Sequence, residues 1–435
     1  MSAIPMMASR DYGNIKLIRS LIWTYFFLLI FEGFLRMVLP SFANALLVVR
    51  DPFLLLMYLV AHVSRAFPWN RFVVMFWVLG LMALVIGFFQ NPGMPLVTLF
   101  GFRASFLHVP LIFLMANVMD EQDVLQIGRW FLILSVPIAI LMAMQFNFGP
   151  DHWLNRGLDN QFEQIVSAKG KIRPPGTFSY ALGPSLFYSC VVAFIMYAQF
   201  HQGAISRALT VVATASTCLA LAVSGSRGAL ASACMVVIIS IVAVMITSPK
   251  QVTGFVKFAF LVGIGAFLAT QFSIFSEGVD VFTQRIESAS NAEGGLVGFI
   301  NRAFGEYIAG IRAIGHAELT GAGLGVGTNA GSAMIGGDRS FLLAEGEWSR
   351  VVLELGSFLG IIYLVMRTGL VFWMLKHSLN AVRHGRMLPL LLFSASALTI
   401  LSGQWAQSTA LGFAVFGGGL TLAALKVRNH PRKIA

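Results

Sequence analysis

The sequence predicts an all-α polytopic membrane protein with about twelve transmembrane helices. Hydrophobic residues make up 57% of the 435 residues and charged residues only 11%, whereas a soluble domain carries about 25% charged residues. Apolar runs of about 20 residues, long enough to cross a bilayer as a helix, recur along the chain. The prediction is one integral membrane domain over residues 1–435.

The predicted spans follow one another with short connections in most places. In chain order they lie at approximately 18–38, 42–64, 72–89, 94–118, 129–147, 181–200, 207–223, 227–247, 255–275, 349–374, 388–404 and 407–425.

Lysine and arginine mark the orientation of these spans, because they accumulate in cytoplasmic loops. If the N-terminus is inside, the inside loops carry Arg65, Arg71, Arg129, Arg207, Lys250, Lys257, Lys376, Arg383 and Arg386. The outside loops 90–93 and 405–406 carry none. The acidic inside loop 119–128 is the exception, and acidic residues weigh little in this rule. Both termini are therefore predicted to be cytoplasmic. The net charge of +11 reflects topology, and we expect no nucleic-acid partner.

Two outside segments, 148–180 and 276–348, are longer than simple connections. Long ordered loops in compact proteins are usually functional, so the active site is expected there, partly on the large loop between the ninth and tenth spans. The halves of the chain show no internal repeat, which argues against a secondary transporter.

The stretch "SGSRGAL" (224–230) places Arg227 at the outer mouth of the eighth span. Gly225 permits a tight turn, and Ser226 can cap the helix, whose N-terminus favours an anion. The guanidinium of Arg227 suits phosphate. The alternative is an arginine that reaches to the lipid headgroups.

Other charged residues point to the same face. Arg173 precedes the sixth span, and Arg302 lies in the large loop. Arg103 lies about 15 Å into the fourth span, so it should face a cavity or pair with Glu32 or Asp51.

Several charged residues have spacings that indicate structural roles. Glu32 and Arg36, like Arg350 and Glu354, are spaced for i,i+4 pairing. Asp51 is expected to be the N-cap of a helix whose first residue is Pro52.

The acidic candidates for a general base are Glu345 and Glu347, where the large loop returns to the membrane. No histidine pair has metal-ligand spacing and no P-loop is present, so we expect neither a metal nor a cofactor. The glycine-rich stretch 321–331 follows no strand, and it is interpreted as a tightly folded loop.

Four motifs resemble the O-antigen ligase and polymerase superfamily: "IRPPGTFSY", "SGSRGALAS", "NRAFGEYIAGI…GAGLGVGTN" and "EWSRVVLELGSFLG". The stretches "FEGFLRMVLP" and "VVRDPFLLLMYLVA" resemble an exopolysaccharide-polymerase-like branch of it. The resemblance implies metal-independent transfer of a glycan from undecaprenyl pyrophosphate to an acceptor hydroxyl, at the periplasmic face of the bacterial inner membrane. By motif, Arg173, Arg227 and Arg302 correspond to the arginines that hold the pyrophosphate. Arg103 and Ser226 are further predicted pyrophosphate-binding residues.

One position departs from the ligase pattern. Ligases have a His-Asn pair nine residues before the glutamate of "ELG", and Glu345 and Gly346 stand there in this chain. Either Glu345 or Glu347 therefore replaces that histidine as the base, or the acceptor chemistry differs from that of ligases. The departure favours a polymerase over a ligase. Two alternatives stay open: a ligase that uses lipid A–core as acceptor, and a lipid-linked glycan flippase or transporter without catalysis. A chain-length regulator or flippase is an expected partner.

Overall fold

A computed structural model describes residues 9–150, 152–155, 171–248, 252–293, 296–336, 343–344 and 346–426. Across these residues the regular structure is helical. The α-helices are α1 (Ser9–Val38), α2 (Ala43–Leu46), α3 (Arg50–Val63), α4 (Arg71–Gln90), α5 (Pro95–Phe102), α6 (Val109–Val118), α7 (Glu121–Asn147), α8 (Leu182–Phe200), α9 (Arg207–Ser224), α10 (Arg227–Thr247), α11 (Val252–Ala269), α12 (Ser273–Glu293), α13 (Leu296–Ile314), α14 (Asn329–Gly336), α15 (Glu347–Arg383), α16 (Leu388–Ser402) and α17 (Ser408–Ala423). A π-helical turn, Arg103–Leu107, joins α5 to α6, and 3₁₀ turns lie at Pro40–Phe42 and Trp153–Asn155.

The all-helical membrane architecture is confirmed at the level of its helices. Among the described residues, nine helical segments are long and apolar enough to cross a membrane. The pair α11 and α12, bent by 103°, adds a tenth if it forms one span. The apolar helices α16 and α17 have only 15 and 16 residues. A total of twelve requires the bent pair and both short helices, so that number stays a prediction.

Helix α15 contains a reversal that the apolar pattern does not reveal. Gly356 has φ 80° and ψ 171°, and Arg367 Nη1 lies 2.9 Å from Glu347 Oε1. In a straight helix, residues 20 positions apart would be separated by about 30 Å. The chain therefore folds back at Gly356, and the predicted span 349–374 is wrong at its start: residues 347–355 form a separate helical piece.

Helix α7 begins with a capping box. At α7, Asp120 Oδ1 accepts from the backbone N–H of Asp123 (3.2 Å), and Asp123 Oδ2 accepts from that of Asp120 (3.0 Å). This capping box explains why acidic residues occupy a loop that the charge pattern assigns to the inside.

Segments assigned to the outside by the charge pattern contact one another at one end of the bundle. Gln90 Nε2 donates to the carbonyl of Gly321 (2.5 Å), and Arg36 Nη1 donates to Ser179 Oγ (3.3 Å). We call this the long-loop end. It comprises the described residues of 90–94, 171–181, 315–328 and 343–346.

Segments assigned to the inside meet at the opposite end. Lys426 Nζ donates to the carbonyl of Asn117 (2.7 Å), and Arg129 Nη2 donates to that of Ala204 (3.1 Å). We call this the short-loop end, which comprises residues 64–70, 117–120, 201–206, 384–387 and 424–426. Which end faces the cytoplasm stays a prediction from the Lys and Arg distribution.

Helices α6, α8 and α17 form the centre of the bundle, where almost every residue is buried. Glycines allow α17 to pack closely on its neighbours: a Cβ at Gly417 would lie 2.6 Å from the Ser396 side chain, and one at Gly419 would lie 2.3 Å from Met115 Sδ. Helix α11, in contrast, exposes large apolar side chains such as Phe260 and Phe267.

Candidate functional site

The turn between α9 and α10 has the form that the sequence predicts. Gly225 is left-handed, with φ 55°, and ends α9. Ser226 Oγ accepts from the backbone N–H of Ala229 (3.2 Å), which confirms Ser226 as the cap of α10. Arg227 is therefore the first residue of α10, and it is half-buried. Its role in anion binding stays a prediction.

The segment 171–181 carries Arg173 and packs on the last turns of α1. Thr177 Oγ1 donates to the carbonyl of Ile30 (2.7 Å), and the Phe34 N–H donates to the carbonyl of Thr177 (2.8 Å). A Cβ at Gly33 would lie 2.1 Å from the Phe178 backbone, so only glycine allows this approach.

One hydrogen-bond donor of Arg173 has no described acceptor. Its Nε is buried and donates no hydrogen bond to any described residue. Nearby in sequence, Lys171 Nζ forms a 3.1 Å ion pair with Glu277 Oε1. At Gly278, a Cβ would lie 2.9 Å from the carbonyl of Ala222. The Arg173 segment, α12 and the end of α9 are therefore linked at the long-loop end.

The glycine-rich loop folds tightly, as expected. Gly325 has φ 93°, and a Cβ there would lie 2.1 Å from the Val97 carbonyl. The Gly327 N–H donates to Glu354 Oε1 (2.8 Å). The loop thus packs between α5 and the helical piece 347–355.

Glu347 is held by two buried arginines. Arg350 Nε and Nη2 each lie 3.0 Å from its carboxylate oxygens, and Arg367 Nη1 lies 2.9 Å away. Arg350 also pairs with Glu354 at 2.7 Å, which confirms that predicted pair. The Trp405 ring covers Arg367 at 4.0 Å. A carboxylate that accepts from two guanidinium groups is strongly stabilised as an anion, so this geometry favours a structural role for Glu347.

Two more of the predicted site residues lie wholly or partly outside the described structure. Glu345 lies outside the described residues. Arg302 lies in α13, and its side chain is outside the described part of the structure.

Glu306, one turn after Arg302, was not identified from sequence. Its Oε1 accepts from the Glu347 N–H (3.0 Å), which caps the helical piece 347–355. Burial raises the pKa of Glu306 above its ordinary value, and the neighbouring Glu347 carboxylate adds to the shift. The only sequence signal is its i,i+4 spacing from Arg302, which by itself indicates an ordinary helix-surface pair.

Arg103 has the buried partner that its depth predicts. Arg103 Nε is hydrogen-bonded to Asp51 Oδ2, and His108 Nε2 lies 3.1 Å from the other oxygen of the carboxylate. Asp51 lies in the first turn of α3, which begins at Arg50, so the prediction that it caps this helix is wrong. The reason is that its carboxylate binds Arg103 and His108 instead of backbone N–H groups.

The predicted pair of Glu32 with Arg36 is also wrong. Glu32 Oε2 lies 3.3 Å from Arg50 Nη2, because α3 brings Arg50 into the bundle beside α1. Arg36 donates instead to the carbonyl of Ala43 (3.0 Å) and to Ser179 Oγ.

The turn between α16 and α17 connects the two charge clusters. Arg367 Nη2 donates to the carbonyl of Gly403 (2.6 Å), and Arg50 Nη2 donates to that of Ser408 (2.5 Å). Arg103 Nη1 also lies 3.5 Å from Ser408 Oγ. Because α16 and α17 are short, this turn lies within the bundle, where its carbonyls can accept from arginines.

A cavity of about 370 Å³ adjoins this turn. Its polar lining includes Glu32, Arg36, Ser179, Tyr180, Gln407 and Thr409. The sequence gives no indication of this cavity, because its walls come from six separate parts of the chain.

The long-loop end thus combines the Arg173 segment, the Arg227 turn and the glycine-rich loop, while Arg103 lies beside the cavity and its recessed turn. Comparison of the chain with protein-family models, with curated proteins and with solved structures finds no match.

Proposed function

We propose that the protein is an O-antigen or exopolysaccharide polymerase-like glycosyltransferase of the bacterial inner membrane. It transfers a glycan from undecaprenyl pyrophosphate to an acceptor hydroxyl at the periplasmic face, without a metal. The observation that carries this proposal is Arg173, whose buried Nε has no acceptor among the described residues. A buried donor without a partner is costly, and a phosphate oxygen would satisfy it.

The Arg227 turn also favours the binding of an anion. The N-terminus of α10 carries the positive end of the helix dipole, which favours an anion. Arg227 adds a permanent charge with paired donors, a geometry that matches phosphate oxygens. Arg302, which completes the set by resemblance, lies on α13.

These arginines would stabilise the leaving group of the reaction. The acceptor oxygen forms a bond to the anomeric carbon, the bond from that carbon to the pyrophosphate oxygen breaks, and the electron pair departs with the lipid pyrophosphate. Negative charge develops on that oxygen, so preorganised arginine donors lower the barrier. Of the two predicted bases, Glu345 is the better candidate, because the oxygens of Glu347 already accept from Arg350 and Arg367.

Substitution of Arg227 tests the proposal. The protein is purified, reconstituted in liposomes and supplied with lipid-linked glycan extracted from the cells that naturally produce it. Arg227→Ala should lower the transfer rate by at least about a hundredfold. Arg227→Lys should also be poor, because a point charge does not reproduce the donor fork. Arg207→Ala, at the exposed start of α9, is the matched control and should keep full activity.

Three results would contradict the proposal. If Arg227→Ala is fully active, Arg227 only contacts the lipid headgroups. If the variant does not fold, Arg227 has a structural role. If the wild-type protein moves lipid-linked glycan across the bilayer and forms no glycosidic bond, it is a flippase.

A further inference from the structure

Glu32 is a buried carboxylate with unused hydrogen-bonding capacity. It is 2% exposed, and neither of its oxygens has a hydrogen-bond partner among the described residues. Arg50 Nη2, 3.3 Å away, supplies charge without the alignment of a hydrogen bond. Glu347, in contrast, accepts several hydrogen bonds. Because buried carboxylates normally accept hydrogen bonds, Glu32 is suited to accept one from a bound molecule.

Glu32 lines the cavity beside the α16–α17 turn. The volume of about 370 Å³ falls within the range of about 300–1,000 Å³ that is typical of small-molecule sites. Hydroxyl and amide groups of Ser179, Tyr180, Gln407 and Thr409 line it as well. Neutral donors and acceptors of this kind, together with an aromatic ring, match the hydroxyl groups of a sugar.

The cavity is close to the segment that carries Arg173, the residue proposed to bind the pyrophosphate. Arg36, which lines the cavity, donates to Ser179 of that segment, and Thr177 is hydrogen-bonded to α1 two residues before Glu32. Arg173 lies four residues before Thr177, a separation of at most about 14 Å along the chain. A sugar in the cavity and a pyrophosphate at Arg173 can therefore belong to one reaction site.

Two carboxylates, those of Glu32 and Asp51, lie among three arginines. Arg36, Arg50 and Arg103 bring three positive charges to this region, against the carboxylates of Glu32 and Asp51. Asp51 is hydrogen-bonded to both Arg103 and His108, which leaves Glu32 as the carboxylate of this cluster that can accept from a ligand.

We propose that the cavity binds the hydroxyl-bearing end of the acceptor glycan and that Glu32 is the general base of the transfer. This inference rests on the proposed function. The acceptor hydroxyl donates a hydrogen bond to Glu32. As its oxygen bonds to the anomeric carbon of the donor, its proton moves to the Glu32 carboxylate, and the lipid pyrophosphate leaves with the electron pair of the broken bond.

Three variants test the inference in the same reconstituted assay, with the lipid-linked glycan as donor. The acceptor is the soluble repeat-unit oligosaccharide released from that glycan by mild acid. Glu32→Gln should bind the lipid-linked glycan as wild type does and transfer it at least about a hundredfold more slowly. Glu32→Asp, which keeps the charge, should recover part of the rate. Ala333→Trp, which fills the cavity from α14, should raise the KM for the oligosaccharide at least about tenfold and leave donor binding unchanged.

The controls separate this inference from the proposed function. Glu121→Gln removes a carboxylate at the short-loop end, where it pairs with Arg386, and should leave transfer unchanged. Glu345→Gln tests the competing base. If the wild-type protein transfers no glycan, the proposed function and the inference both fail. If the wild type is active, near-normal turnover of Glu32→Gln overturns only the role of Glu32. If Glu32→Gln does not fold, an unchanged acceptor KM in Ala333→Trp overturns the cavity assignment.

Discussion

At the scale of single residues, the charged side chains inside the bundle form two clusters. One contains Glu347, Arg350, Glu354 and Arg367, and its carboxylates and guanidinium groups satisfy one another. In the other cluster, Glu32 keeps two unused acceptors. Removing one member of a buried ion pair leaves an uncompensated charge and typically costs about 3–5 kcal/mol. Mutation of the first cluster should therefore act through stability. Mutation of Glu32, which faces the buried Arg50, should act through stability and through activity.

Glu347→Gln should reduce the amount and the thermal stability of the folded protein, because Arg367 is fully buried and would lose its carboxylate. The expected loss is about 3 kcal/mol, measured as a lower unfolding temperature in detergent. Glu318→Gln, at an exposed position, is the control. A Glu347→Gln protein with normal stability and no transfer activity would show that Glu347 is a base after all.

Spacing predicts a charge pair only when both residues lie on one helix face. The pair of Arg350 and Glu354 was predictable for this reason, and the burial of Arg103 predicted a partner such as Asp51. The partner of Glu32 was not predictable. The sequence cannot show that α3 brings Arg50 next to Glu32, so that Arg50 and not Arg36 is the partner of Glu32.

At the scale of elements, breaks within apolar segments shape the site. Gly356 reverses α15, the 103° bend separates α11 from α12, and the shortness of α16 and α17 buries their connecting turn. The cap at Ser226 was predictable, because capping side chains have a recognisable chemistry, whereas the predicted cap at Asp51 was wrong because its carboxylate binds other side chains. The reversal at Gly356 was not, because a glycine inside an apolar run is equally compatible with a continuous helix.

Gly356→Ala should be strongly destabilising. Its φ of 80° with ψ of 171° is a conformation that non-glycine residues reach at a cost of about 1–3 kcal/mol. A Cβ would also lie 2.2 Å from the carbonyl of Leu319. Gly369→Ala, in the same helix with no atom within 4 Å of the added Cβ, should be neutral or slightly stabilising. Equal unfolding temperatures for the two variants would show that the chain does not reverse at Gly356.

At the scale of the whole molecule, the two ends of the bundle carry different segments: those assigned to the outside lie at one end and those assigned to the inside at the other. The charge pattern predicted which segments share an end, and contacts such as Gln90 to Gly321 and Lys426 to Asn117 agree with that grouping. The cavity could not be predicted, because it depends on how distant segments converge. Glycan transfer at the periplasmic face requires that the long-loop end faces the periplasm.

Cysteine labelling in intact cells tests that property directly. In a chain whose three cysteines are replaced by alanine, Leu319→Cys, at a position 71% exposed at the long-loop end, is compared with Gln202→Cys at the short-loop end. We predict that a membrane-impermeant maleimide labels position 319 in intact cells, and position 202 only after the membrane is opened. The reverse pattern would place the Arg173 segment, the Arg227 turn and the cavity in the cytoplasm, and it would contradict glycan transfer at the periplasmic face.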